Sequence, residues 1–129
     1  MMDKERYEEL AKQIFLASLE VHKIMGPGLL ESVYEMCLLR EFQLRNIFVE
    51  SQVSIPLTFK GFELSKEYKI DILVENEIII ELKAVETLLP VHEAQIISYL
   101  KLADKRMGFL INFNVPIIKN GLRRFVNKY

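Results

Sequence analysis

In the stretch Lys69-Ile70-Asp71-Ile72-Leu73-Val74-Glu75-Asn76-Glu77-Ile78-Ile79-Ile80-Glu81-Leu82-Lys83, an Asp, a Glu and a Lys stand inside two segments otherwise built from Ile, Leu and Val. A lone carboxylate is costly to bury, so a chain that buries two of them beside an ammonium compensates with a metal or a partner charge. Residues two apart in a strand share a face, so Glu81 and Lys83 point one way and the Leu82 side chain the other. Asp71 must join them from the neighbouring strand. If residues 75–77 form a three-residue connection, Val74 faces Ile78 and Asp71 faces Glu81. A two-residue loop would oppose Asp71 to Ile80 and break the site, because a slip of one residue exchanges the faces. The odd register is the one predicted. Directly opposed residues have Cβ atoms about 4.5–5.5 Å apart, close enough for two carboxylates to share one divalent cation. Two like charges so near each other call for something positive between them. Mg²⁺, which prefers oxygen ligands, is the simplest candidate, with Mn²⁺ as a substitute. Zinc is disfavoured, since the chain offers only His22, His92 and Cys37 beside its carboxylates.

These residues need a sheet and helices to hold them. Between Asp3 and Met25 apolar residues recur every three or four positions, which predicts a long helix with one buried face. Gly26-Pro27-Gly28 breaks it, and a second helix is predicted from about Leu29 to Arg45, with Asn46 as its stop. Val49 to Phe59 alternates in polarity and contains Pro56, the mark of an edge strand or a bulge. Lys60-Gly61 turns the chain into a strand from about Glu63 to Val74, followed by Ile78 to Ala84, a central strand by its apolar character on both faces. Pro90 opens a third helix, Met107 to Phe113 reads as a buried strand, and Ile117 to Val126 as the last one. The order ααβββαββ predicts an α/β (α+β) fold in which helices flank a central mixed β-sheet.

The 129 residues, half of them hydrophobic, suit a single domain spanning 1–129. The first residues are charged rather than signal-like, and no apolar run approaches the roughly 20 residues of a membrane helix, so a soluble, cytoplasmic protein without membrane contact is expected. Cys37 has no partner for an internal disulfide and reads as a small buried apolar side chain. The net charge of −1 conceals an asymmetry: from Leu100 onward seven basic residues face only Asp104, a balance of +6. A basic end on an acidic body is compatible with a phosphate-binding flank, and equally with a solvated surface.

The arrangement of Asp71, nine residues and then Glu81-Leu82-Lys83 resembles the PD-(D/E)XK nuclease superfamily, with Ile70 where the family name has proline. Gly28-Leu29-Leu30-Glu31-Ser32-Val33-Tyr34 is similar to the signature of its GxxExxY family, and Gln95-Ile96-Ile97-Ser98-Tyr99 resembles the Q-x-x-x-Y helix motif of its exonuclease branch. The resemblance implies a restriction-endonuclease-like core. It implies Asp71, Glu81, the Leu82 carbonyl and Glu31 as metal ligands, with catalysis by Asp71, Glu81, Lys83 and Glu31. The metal would acidify water and neutralise phosphate charge, with Lys83 beside the attacking water. Gln95 and Tyr99, four apart on one helical face, would hold nucleic acid at the rim.

Each residue also has a plainer reading. Glu31 suits a helix N-terminus through the dipole alone, Tyr34 suits a core or site wall with its hydroxyl bonded nearby, and His92 suits a solvated or capping role rather than contact with phosphate. Asp71, Glu81 and Lys83 could pair on an exposed hairpin, although their apolar neighbours argue against exposure. The reading adopted is a Mg²⁺-dependent nuclease acting on nucleic acid, DNA by family analogy. The alternative is a catalytically silent nuclease-fold protein that binds nucleic acid or regulates. Either form is small for gripping a duplex, which points to a homodimer or a protein partner.

Overall fold

Asp3 caps the first helix by accepting from the Arg6 N–H, and Gly26, with φ of 71°, ends it by donating to the His22 carbonyl. In the computed structural model, which describes residues 2–129, this helix is α1, Lys4–Met25. Met1, the first residue of the expected domain, lies outside the described residues. The other elements are α2 (Glu31–Leu44), β1 (Val49–Phe59), β2 (Phe62–Val74), β3 (Ile78–Lys83), α3 (Pro90–Leu102), β4 (Met107–Asn112), a 3₁₀ turn (Ile118–Gly121) and β5 (Leu122–Val126). No helix among the described residues is long and apolar enough to cross a membrane.

The five strands run in the order β1-β2-β3-β4-β5, antiparallel except for β3 and β4, which lie parallel with α3 as their crossover. This is a mixed sheet flanked by helices, as the element order implied. Alternate residues of β3 feed two cores. Ile78, Ile80 and Leu82 pack with Leu10, Ile14 and Leu38 of α1 and α2, while Ile79 packs with Ile96, Tyr99 and Leu100 of α3. With helices on both sides, every residue of β3 but Lys83 is buried.

Two elements depart from the sequence reading. The predicted final strand, Ile117 to Val126, is a strand only from Leu122; before it the chain makes the 3₁₀ turn. Asn120-Gly121 is poor strand sequence, and the irregular path buries Ile118 in the α1–α2 core, which an extended edge would not do. The second helix begins at Glu31 rather than near Leu29, because residues 26–30 form a closed loop. Gly28 takes φ of 93°, and the Tyr34 hydroxyl donates to the Gly26 carbonyl at 2.6 Å while accepting from the Leu29 N–H at 3.1 Å. Cys37 is half-buried against the α1–α2 core rather than fully inside it.

Pro56 lies on the edge strand at a register irregularity, as its ring demands. Lys60 and Gly61, with φ of 50° and 78°, form a two-residue hairpin turn closed by the pair Phe59 and Phe62. β2 pairs with β1 along most of its length but with β3 only over Ile72–Val74. Residues 62–69 are all exposed, so β1 and β2 continue past the body as a two-stranded arm.

Candidate active site

Asp71 and Glu81 sit where β2 and β3 part. The ladder between these strands has the predicted odd register and its last pair at Ile72 and Ile80. One step further the side chains take over. The Asp71 N–H donates to Glu81 Oε1 at 3.1 Å, and the Leu82 N–H donates to Asp71 Oδ2 at 2.8 Å. Each carboxylate thus satisfies a backbone donor that the parted ladder would have left open. One oxygen of each, Glu81 Oε2 and Asp71 Oδ1, stays outside this reciprocal pair, and Oδ1 accepts from Gln52 Nε2 at 3.3 Å.

Glu81 is only 4% exposed. Burial, and then the facing Asp71 carboxylate, push its carboxyl up to about 9, with Lys83 pulling more weakly the other way. Burial and the facing carboxylate make this an oxygen-only donor pair whose charge is uncompensated, and in donor chemistry that pair, though only two ligands of a full set, suits a hard divalent cation.

The predicted residues other than Glu81 and Leu82, which line neither, fall around two depressions. Lys83, Gln95, Tyr99, Tyr68 and His92 line a cleft of about 550 Å³ on the α3 side. Glu31, Glu35, Gln52 and Asp71 line another, of about 380 Å³, at the start of α2. Gln95 Nε2 donates to the Tyr99 hydroxyl at 3.0 Å, the contact their four-residue spacing allows. Burial and the Glu81 charge raise the Tyr99 hydroxyl pKa. His92 Nδ1 accepts from the Leu89 N–H at 3.0 Å, the capping role expected of it.

Glu31 shares a depression with Asp71 but does not complete a ligand cluster. Among the described residues, no three His, Cys, Asp or Glu side chains converge tightly enough to hold an ion. The Glu31 side chain stands exposed at the first turn of α2. Its carboxyl is nonetheless partly shielded by the depression, which raises its pKa; Lys83 opposes this, while Asp71 and Glu35 add to it. The loop closed by Tyr34 sets where that turn begins, and Tyr34 itself is buried and stacked on Phe113 at 4.5 Å.

Three neighbours of the site were not singled out from the sequence. Gln52 bridges Asp71 and Glu35, its Nε2 donating to Glu35 Oε1 at 2.8 Å, from a backbone with φ of 54° that few non-glycine residues adopt. Nothing in its sequence context marks it. Asn112, opposite Lys83 in the parallel pair, accepts from the Val85 N–H at 3.1 Å and donates to the Val85 carbonyl at 2.8 Å. It ties the chain leaving β3 to the end of β4. A polar residue closing an apolar strand was a legible signal, of the kind that marked Glu81. Tyr68 leans over Tyr99 with ring centroids 5.3 Å apart.

A mixed five-stranded sheet with this helix order is the restriction-endonuclease-like fold. Residues 8–125 match the PD-(D/E)XK nuclease superfamily, and the chain belongs to it. Nucleases of that superfamily generally depend on a divalent metal ion. The crystal structure of SSO0001 is similar in fold, with a TM-score of 0.51 and 20% sequence identity, over 93% of this chain and 58% of that one. This chain therefore spans little more than half the length of that protein. No curated protein matches the chain.

Proposed function

We propose that this protein is a nuclease of the GxxExxY family that hydrolyses phosphodiester bonds of nucleic acid, DNA by family analogy, with Mg²⁺ as its cofactor and Mn²⁺ as a substitute. On this reading residues 1–129 act as one nuclease-like domain, free of membrane and cytoplasmic, alone or as a homodimer or with a protein partner. The observation that carries the reading is the reciprocal hold of Asp71 and Glu81 on each other's strand, which fixes two carboxylates in one orientation at the mouth of the parted ladder.

Asp71, Glu81 and the Leu82 carbonyl would hold the ion, and Glu31 would have to swing in from the rim to add its carboxylate. A bound divalent cation supplies charge neutralisation at the phosphate and water of lowered pKa. Lys83, on the Glu81 face of β3, orients the attacking water and offsets charge that builds on the phosphate in the transition state. Gln95 and Tyr99, tied to each other and facing the Lys83 cleft, keep the strand in place. The test is cleavage of labelled single- and double-stranded DNA and RNA by wild type and Glu81→Gln in Mg²⁺, Mn²⁺ or EDTA. Metal-dependent cutting by the wild type alone supports the nuclease; no cutting on any substrate refutes it.

One observation favours a second reading. Since no three ligating side chains converge among the described residues, a catalytically silent protein of this fold, binding nucleic acid or regulating through it, also fits. It predicts nucleic-acid binding without turnover in any metal.

A further inference from the structure

The β1–β2 arm extends past the residues that pack into either core. From Pro56 to its tip at Phe59 it runs roughly 10 Å beyond the last residues packed on α3, at about 3.4 Å per residue, and returns by Glu67. An isolated two-stranded hairpin is marginal in water and gains nothing from apolar side chains left wet. Yet the tip carries Phe59 and Phe62, 64% and 71% exposed, as the cross-strand pair that closes the turn. Lys60 Nζ lies 5.5 Å from the centroid of the Phe59 ring.

The arm carries aromatic residues at both ends of a register irregularity. Phe59 faces Phe62 at the tip and Ile55 faces Tyr68 at the base, while Lys66 lies in the unpaired stretch between Glu63 and Glu67 and shares a shallow depression with them. Glu67 is internally occupied, since Ser54 donates to it at 3.1 Å. Lys60 stands at the tip and Lys66 midway, and Tyr68 lines the same cleft as Lys83, Gln95 and Tyr99. Aromatic rings alternating with lysines along a path into a site match a chain of phosphates with exposed bases. In a duplex the base faces are covered, whereas a single strand offers them for stacking.

We propose that the arm is a stacking platform for unpaired bases, so that the site takes nucleic acid through a single-stranded segment running from Phe59 and Phe62, past Lys66 and Tyr68, to Lys83. The path to Lys83 rests on the nuclease reading; the stacking does not. Binding is therefore measured apart from turnover.

The experiment uses the full chain, a short single-stranded oligonucleotide containing 2-aminopurine, and Ca²⁺ as a cation for oxygen sites in place of Mg²⁺. Anisotropy reports affinity, and quenching of 2-aminopurine reports stacking. The expected results are tighter binding of the single strand than of the blunt duplex of the same sequence, with quenching. Phe59→Ala with Phe62→Ala should weaken binding on the order of tenfold or more and abolish quenching, at an unchanged melting temperature. Phe59→Trp with Phe62→Trp should keep both, and the new indole emission should fall on binding, as the chain otherwise has no Trp.

No binding by the wild type, a preference for blunt duplex without quenching, or unchanged binding by the double alanine variant overturns the proposal. So does a shift from dimer to monomer in that variant with binding intact, which would make the tip a self-association surface. Stacking that persists while no metal supports cleavage sinks the nuclease reading and leaves the arm's role standing.

Discussion

Replacing Glu81 by Gln should make the metal-free protein more stable while destroying its response to metal. In the folded chain burial and Asp71 push the Glu81 carboxyl up to about 9, against 4.5 for an unburied glutamate. Between those values the native state holds a proton that the unfolded state has released, so stability is greatest below the lower value and falls as pH rises toward the upper one. The slope is about 1.4 kcal/mol per pH unit, so over the interval from 4.5 to 7 the carboxyl costs the fold about 3 kcal/mol. Gln is nearly isosteric. Its carbonyl can accept from the Asp71 N–H as Glu81 Oε1 does, and its amide can donate to the Asp71 carboxylate, with no proton to hold. For a chain of this size the gain corresponds to roughly 10 °C in Tm. Calorimetry or circular dichroism in EDTA at pH 7 would measure it, and the gap between variants should shrink below about 1 kcal/mol at pH 5. Mg²⁺ should then raise the Tm of the wild type and leave Glu81→Gln where it is, because the ion binds only the folded, ionised pair. A variant that melts at or below the wild type at pH 7, with its circular dichroism unchanged, would refute the reasoning that Glu81 is a strained buried acid.

Lys83→Met should leave stabilisation by Mg²⁺ intact and lower the cleavage rate by about 10²-fold or more at unchanged substrate affinity, a split that single-turnover kinetics would resolve. Tyr34→Phe deletes a hydroxyl that both donates and accepts inside the loop before α2; denaturant unfolding should show a loss of about 1–2 kcal/mol, and activity should fall with it as the first turn loosens. Gln52→Gly relieves a left-handed backbone but releases Asp71, so stability should hold or rise slightly while Mg²⁺ affinity, read by calorimetric titration, drops.

What could be read from the sequence was whatever periodicity and burial cost express locally. Asp71, Glu81 and Lys83 stood out because charge inside an Ile- and Val-rich strand demands a reason, and the register followed from counting across a three-residue turn. Gln95 with Tyr99 was picked out by resemblance to the Q-x-x-x-Y motif, and helical spacing added only that the two could meet. What escaped depended on tertiary arrangement. The early end of the β2–β3 ladder, which turns a pair of facing acids into a reciprocal clamp, leaves no trace in hydrophobic pattern. Gln52 reaches Asp71 only through an unusual backbone angle. The burial of Ile118 outweighed the extended reading of residues 117–121, since alternation cannot tell an edge strand from a 3₁₀ turn that drops one side chain into a core.

The loop between the first two helices separates two kinds of necessity within one seven-residue signature. Gly28 and Tyr34 serve the shape of the chain, one by its permitted angle and the other by stitching both sides of the loop together, while Glu31 adds nothing to that closure. Replacing Glu31 should therefore cost the fold little, whereas replacing Gly28 or Tyr34 should loosen the loop from which α2 begins. The two ends of the stretch from Gly28 to Tyr34 thus build the loop, and its middle is left free of that task.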